Sequence, residues 1–277
     1  MKFPVDGAYR IFVDSKYLYI VIVCIMLQLL FPYKQKSYPA QRFKSWYISF
    51  MLGFTTWACY VVVTMTIFPL LDRWNLYGIV PYFKDFHPVI RFCVLLFIID
   101  AIIYWNHYVF HNVKFLRKVH NVHHVEHYVD AMSAFRVHFI EILSFVTLLV
   151  GVYYPLGVTV DEFIIMIIIT QIIGATSHAD LRLPYRLEIL LDKVFCTSGF
   201  HMHHHSVNTK EANENFSMLL NIWDRLNKTY HKPEKGRKYE FGTQTDLEAS
   251  NSLVKNLFLR LPYSNGAGLR AYKRKKE

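Results

Sequence analysis

Apolar residues along this chain come in long blocks, and the block lengths predict helices that meet or cross a bilayer. Tyr17 to Phe31 is an apolar run of marginal spanning length, followed by a loop crowded with Lys34, Lys36, Arg42 and Lys44. Trp46 to Leu71 is long enough to cross a hydrocarbon core of about 30 Å with some tilt. Asp72 to Pro88 carries few charges and many aromatics, as an interfacial loop does. A third run, Val89 to Phe110, is interrupted by Asp100. Phe139 to Val158 and Phe163 to Ala175, joined by Pro155, Gly157, Asp161 and Glu162, predict a tilted hairpin or re-entrant pair, the second arm being short for a full span. Leu187, Leu190, Leu191 and Val194 make an apolar helical stripe. Leu253, Leu257, Phe258 and Leu261 recur at helical spacing beside Lys255 and Arg260, the pattern of a helix lying on a bilayer surface.

The pattern therefore predicts an all-α integral membrane protein with about four to five transmembrane or re-entrant helices. Composition agrees: of 277 residues 53% are hydrophobic and 19% charged, with a mean hydropathy of +0.19, far from the balance of a soluble domain. No linker or internal repeat divides the chain, so one structural domain is expected. Within it, 1–88 supplies N-terminal spans and loops, 89–230 the chemistry-bearing block, and 231–277 an amphipathic segment and basic tail. The net charge of +10 lies beside apolar runs rather than in a stripe among exposed aromatics, so membrane surface and not nucleic acid is the expected partner. The positive-inside rule puts the first loop in the cytoplasm and the N-terminus outside, and delivers the end of the third run to the cytoplasmic face. No small-x-small site follows the first run, which reads as a retained span. The terminal Lys273, Arg274, Lys275, Lys276 and Glu277 fit either a retrieval signal or a polybasic tail near anionic lipid. The membrane would be the endoplasmic reticulum in a eukaryote or the inner membrane in a bacterium. Cys24, Cys59, Cys93 and Cys196 are scattered, which reads as buried thiols and indicates neither a disulfide framework nor a metal knuckle.

Histidine changes the picture. There are 14, most of them in four places. His107 and His111 stand four apart; His120, His123 and His124 stand at i, i+3 and i+4; His178 stands alone; and His201, His203, His204 and His205 follow. Residues three and four apart share a helical face, so each cluster can aim its imidazoles at one point. An ionisable group at the end of a span is costly, and a cation held by neutral imidazoles is its natural partner. His107, His111, His120, His123, His124, His178, His201, His204 and His205 are nine candidate ligands, too many for one ion and suited to two. A dimetal site in a cytoplasmic histidine-rich helical cap above an apolar bundle points to redox chemistry on a lipid-like substrate. Imidazole alone does not choose among iron, zinc, copper and nickel. His87 and His231, which are isolated, read as ordinary surface or core residues.

His123-His124-Val125-Glu126-His127 also fits the zinc pattern His-x-x-Glu-His, with the glutamate as general base. That reading leaves His107, His111, His178, His201, His204 and His205 without a role, and Glu126 and His127 fall to supporting or surface positions. His-Glu-x-x-His is absent.

Taken together, His-x3-His at 107 to 111, His-x2-His-His at 120 to 124 and His-x2-His-His-Ser at 201 to 206 resemble the histidine boxes of the fatty acid hydroxylase and sterol desaturase superfamily. Ser133 to His138 with Glu141 resembles its Arg-x-His-Pro-x-Glu segment, with Phe139 in place of proline. Thr176 to Asp180 resembles its later His-Ser/Ala-Asn segment. Asn215-Phe216 and Trp223-Asp224-Arg225-Leu226 resemble its Asn-Tyr/Phe-Gly and Trp-Asp-Arg-Leu elements, with Ser217 where glycine is common. The resemblance covers roughly residues 90 to 230.

The resemblance implies an O2-dependent di-iron membrane oxidoreductase that hydroxylates or desaturates a lipid: sterol, fatty acyl chain, ceramide, alkylglycerol or carotenoid. It implies two iron ions, for which zinc can substitute, O2 as co-substrate, and electrons from NAD(P)H through a separate carrier such as cytochrome b5 or ferredoxin. Aligned to the family box, His201, His204 and His205 are ligands, and His203, two residues from His201, falls on another face. Asp100, seven and eleven residues before His107 and His111, is placed to accept an imidazole N–H and fix its tautomer, or else to pack between helices. His138, Glu141, Asp180, His203 and Asp224 are further supporting candidates around the ligands, with pairing to Arg225 or a helix cap as the other role for Asp224. A zinc-dependent membrane hydrolase and a non-enzymatic metal-binding membrane protein are the alternatives.

Overall fold

The computed structural model describes residues 39–179, 181, 183–243 and 250–259, together with Ile22 and Met26. The first apolar run, Asp180, Arg260, Leu261 and the basic tail lie outside the described residues, apart from those two single positions. Among the described residues the chain is helical, with no strand beyond two isolated bridges, Phe195 to Leu220 and Ser206 to Phe241.

Four long helices make the bundle: α1 (Pro39–Arg73), α2 (Pro88–Asn112), α4 (Phe139–Tyr153) and α5 (Val160–His178). Three of them are long and apolar enough to cross a membrane, over Ala40–Arg73, Pro88–Asn112 and Asp161–His178. The arm of the hairpin that is short for a span is the first, α4, and not the second as the apolar run suggests. A capping box explains this: the Thr159 side chain accepts from the Glu162 backbone and Glu162 reaches back to Thr159, so the polar residues of the connection start the helix instead of preceding it. Likewise α1 begins at Pro39 and takes in Arg42 and Lys44, which the sequence reading placed in a loop; both are good helix formers, and Arg42 reaches Asp130 at 3.4 Å.

At one end of the bundle the hairpin is pinned to α2. Arg91 holds Glu162 through two contacts of 2.5 and 2.9 Å and donates to the Gly157 carbonyl at 2.8 Å. Gly157 and Gly78 both have positive φ, and a Cβ on Gly157 would lie 3.1 Å from Gly78 Cα, so this crossing needs glycine. Leu95, Ile99, Val146, Leu149, Val150, Tyr153 and Met166 pack the core between the spans.

The histidine end lies about 24 Å further along α2 at 1.5 Å per residue. Val113, in an extended conformation, ends α2 and opens α3 (Lys114–His124). The cap is completed by α6 (Tyr185–Leu191), α7 (Ser198–His204), α8 (Ile222–Asn227) and α9 (Leu253–Leu257). One of these differs from expectation. Leu253 and Leu257 of α9 pack against Ile48, Leu52, Val122 and Val125, which places one face of the segment on protein, with Val254 and Phe258 exposed on the other. The apolar stripe that begins on α6 lies at the surface, with Leu187, Leu190 and, just beyond the helix, Val194 exposed. Of the described cysteines, Cys93 is exposed and Cys59 and Cys196 are half-buried, where buried thiols were expected.

Candidate metal centre

All nine expected histidines converge and are buried. They form two sets: His107, His111, His120, His124 and His204, and His123, His178, His201 and His205, with the ligand atoms of each set within 4.8 Å of one another. A single aim point per sequence cluster is therefore not what the fold builds. In α3 the pair His120 and His124 serves the first set and His123 the second. At the end of α7, His204 serves the first, and His201 and His205 the second. Residues i and i+4 lie about 40° apart around a helix, whereas the residue between them at i+3 lies about 100° away from i+4. One helix thus feeds two sites.

The hydrogen bonds around these rings fix their protonation. His107 Nδ1 faces the Phe216 carbonyl at 2.8 Å, His178 Nδ1 the Gly174 carbonyl at 2.7 Å, His204 Nδ1 the Glu214 carbonyl at 2.8 Å and His123 Nδ1 the Arg136 carbonyl at 3.2 Å. A carbonyl only accepts, so each Nδ1 carries the proton and each Nε2 presents a lone pair. His120 Nδ1 faces both oxygens of Glu141 at 2.9 Å, with the same consequence. Yet His107 Nε2 stands 3.0 Å from His120 Nε2, and His123 Nε2 3.0 Å from His178 Nε2. Two lone pairs at that distance repel unless a cation lies between them. His204 Nε2 and both ring nitrogens of His111 are buried without any partner. The donor set therefore fits a metal ion in each group. Burial first, with neighbouring imidazoles adding to it, holds His123, His124, His201, His204 and His205 well below the ordinary histidine value, so they remain neutral and able to coordinate.

The supporting residues divide. Glu141 lies on His120, as described. Asp100 reaches no imidazole; its carboxylate accepts from Leu219 N, Leu220 N and Trp223 Nε1 at 3.1, 3.2 and 2.9 Å. Asp224 pairs with neither Arg225 nor a helix end: it accepts from Phe216 N at 2.9 Å and Ser217 N at 2.8 Å, while Arg225 turns to Asp192. These two carboxylates hold the 214–220 segment whose carbonyls orient His107 and His204. His138 caps α4 through Ile140 N and faces the Leu257 carbonyl at 3.1 Å, away from both sets. His203 bonds Glu214 at 2.8 Å and stacks on His231 at 4.0 Å. Asp180 lies outside the described residues. Glu126 is buried against Arg136 at 2.7 Å, and of the motif's two histidines His123 joins the four-histidine set while His127 joins no histidine group and lies against Gly242, so the His-x-x-Glu-His zinc arrangement does not form.

Backbone carbonyls were invisible in the sequence, and so were Tyr60, Asn106 and Gln171. These three line a cavity of about 150 Å³ between the spans that touches His107 and His120 of one set and His123, His178 and His201 of the other. Their signal was a polar residue inside an apolar run. On the loop side a smaller opening, lined by Arg117, Asn121, Ser206 and Thr209, reaches His111, His120 and His124.

Residues 92–229, which hold every one of these histidines, match the sequence profile of the fatty acid hydroxylase family. The chain belongs to the fatty acid hydroxylase superfamily. This fatty acid hydroxylase homologue is similar to the ornithine lipid hydroxylase OlsE of Rhizobium tropici, with 28% identity over 164 residues, 58% of this chain and 47% of that protein. The match thus spans about half of the relative's length. No solved structure matches this member of the superfamily.

Proposed function

We propose that the protein is a membrane-bound, O2-dependent di-iron lipid hydroxylase. The observation that carries this reading is the pair of adjacent all-histidine sets, five and four imidazoles, opening onto a cavity between apolar spans. Two further points support it. With metal–nitrogen bonds of about 2.1 Å, nitrogens at right angles on one ion are about 3.0 Å apart and at the tetrahedral angle about 3.4 Å. The Nε2 spacings of 3.0 to 3.1 Å fit a five- or six-coordinate ion, which suits iron better than tetrahedral zinc. The family and the relative named for an ornithine lipid support a lipid substrate.

His107, His111, His120, His124 and His204 would hold one ion, and His123, His178, His201 and His205 the other. When bound, the pair supplies O2 reduction coupled to C–H oxidation. The balance is C–H plus O2, two electrons and two protons giving C–OH and water; loss of a second hydrogen would give an alkene and two waters. The chain's own residues set the conditions. Glu141 and the four carbonyls fix the tautomers, and the apolar walls exclude water from the reacting carbon. The two electrons come from NAD(P)H through an external carrier such as cytochrome b5 or ferredoxin, arriving on the loop side, where α3 carries Lys114, Arg117 and Lys118 and Arg117 lines the smaller opening. Those charges also favour a cytoplasmic centre.

Purified protein loaded with iron should contain two ions per chain, and membranes of expressing cells should place one atom of 18O2 into a lipid in the presence of NAD(P)H. One zinc per chain with O2-independent turnover would replace this reading with the hydrolase.

A further inference from the structure

Polar side chains at the depth of a membrane span are costly, face the bundle interior and mark the path of a ligand. Here three of them, from three different spans, line the same cavity: Tyr60 on α1, Asn106 on α2 and Gln171 on α5. Tyr60 is only 6% exposed, and its hydroxyl is buried beside the Gln171 side chain without a hydrogen bond of ordinary geometry. Asn106 Oδ1 is already taken by the Ser144 hydroxyl at 2.8 Å, so Asn106 has an N–H donor left to offer. Besides the histidines, the wall holds Glu141, which is taken by His120, Thr170, whose hydroxyl donates to the Ile167 carbonyl, and apolar residues including Ile103, Ile142 and Phe145.

We propose that Tyr60, Asn106 and Gln171 form a donor rung that binds the carbonyl oxygen of an acyl linkage, amide or ester, and so directs oxidation to a carbon beside that linkage. This rests on the hydroxylase reading above. A hydrocarbon segment would set apolar carbon against the three polar side chains, and a site built to hydrogen-bond its ligand rejects one that lacks the partner. The cavity, about 150 Å³, is too small for a whole lipid and sized for the segment that reacts. Because the rung and five imidazoles share that one small space, a carbonyl bound at the rung leaves only the next few carbons within reach of the metals. Gly174 lines the same space, and a Cβ there would come into ordinary contact with Ala134 Cβ at 3.7 Å and Met218 Cε at 3.9 Å.

The test supplies membranes of expressing cells with NADPH, 18O2 and one of three probes: an N-acyl amide lipid, a diacyl ester phospholipid, or a long-chain alkane. The expected result is 18O beside the carbonyl of the amide or the ester probe, the two arms showing which linkage is taken, and none in the alkane. Tyr60→Phe and Gln171→Leu should each lower the yield about tenfold, the worth of one buried hydrogen bond, with metal content and melting temperature unchanged. Equal oxidation of the alkane, oxidation at mid-chain methylenes, or unchanged yield and position in both variants would overturn the proposal while leaving the hydroxylase reading in place. No 18O in any lipid from membranes whose wild-type chain holds both irons would overturn the hydroxylase reading and the proposal with it.

Discussion

His107 Nδ1 donates to the carbonyl of Phe216 at 2.8 Å, and the N–H of the same Phe216 is held by Asp224 at 2.9 Å. A carboxylate on α8 thereby fixes the orientation of an imidazole on α2 through one intervening residue. The arrangement is reinforced by Thr229, which donates to Asp224 at 2.6 Å, and by the Glu214 carbonyl on His204. Both imidazoles held by this segment belong to the five-histidine set.

Asp224→Ala should therefore weaken one metal site selectively. Loss of a group that orients ligands costs about 10- to 100-fold in metal affinity. Dialysis against graded chelator should release the ion of the five-histidine set first, giving a plateau near one metal per chain where the unaltered protein keeps both. Parallel release of both ions would show that Asp224 acts on the whole cap and not through Phe216.

The histidine positions were legible in the sequence because coordination demands spacings of three and four, and those survive any fold. Their division into five and four was not. It depends on how α3 turns back at Val113 and how α7 docks, and it separates His123 from His124 and His204 from His205, neighbours in sequence. The acceptors that fix the tautomers are mostly main-chain carbonyls of Glu214, Phe216, Arg136 and Gly174, groups every residue carries, so no residue type announces them. Asp100 shows the converse: helical spacing placed it on the face of His107, yet three N–H donors of the 219–223 segment take its oxygens.

His203 and His204 give a comparison within one box. His204 Nε2 is buried in the five-histidine set, while His203 bonds Glu214 and stacks on His231. His204→Ala should abolish lipid oxygenation and lower metal content, and His203→Ala should retain both within a few-fold. Equal loss in the two variants would mean that the His203–Glu214 contact is needed to hold the segment that orients His204.

Acid should destabilise the metal-free protein. His123, His124, His201, His204 and His205 are bases whose folded values lie well below 6.5, so below pH 6.5 the unfolded chain binds more protons than the folded one. Their contribution to stability is complete above about pH 6.5 and falls as pH drops below it, at about 1.4 kcal/mol per pH unit for each histidine. The melting temperature of metal-stripped protein in detergent should be flat from about pH 7 to 8 and decline below about 6.5. Bound metal moves the same way, since protons compete for the same nitrogens. A melting temperature that rose on acidification from pH 7 would contradict the neutral, buried imidazoles.

Arg136 is fully buried, and its guanidinium ties together α3, the Glu126 loop and the 250–256 segment, which also pack through Val122, Val125, Leu253 and Leu257. It contacts Glu126 at 2.7 Å, the Val122 carbonyl at the end of α3 at 3.1 Å, the Ser250 carbonyl and Asn256, while Ser45 on α1 bonds Glu126 from the other side. Its own carbonyl accepts from His123. Removing one partner of a buried ion pair leaves the other charge uncompensated, at a cost of about 3–5 kcal/mol. Arg136→Met should lower the melting temperature sharply and loosen the four-histidine set through His123. Adding Glu126→Leu to the same chain removes the stranded carboxylate, and the double variant should recover most of the stability, because a well-packed apolar pair often equals a buried ion pair. The backbone contact to His123 does not need the guanidinium, so metal content should return with stability. If the double variant melts no higher than Arg136→Met alone, the bonds from Arg136 to the Val122 and Ser250 carbonyls, and not its pairing with Glu126, hold α9 and α3 in place.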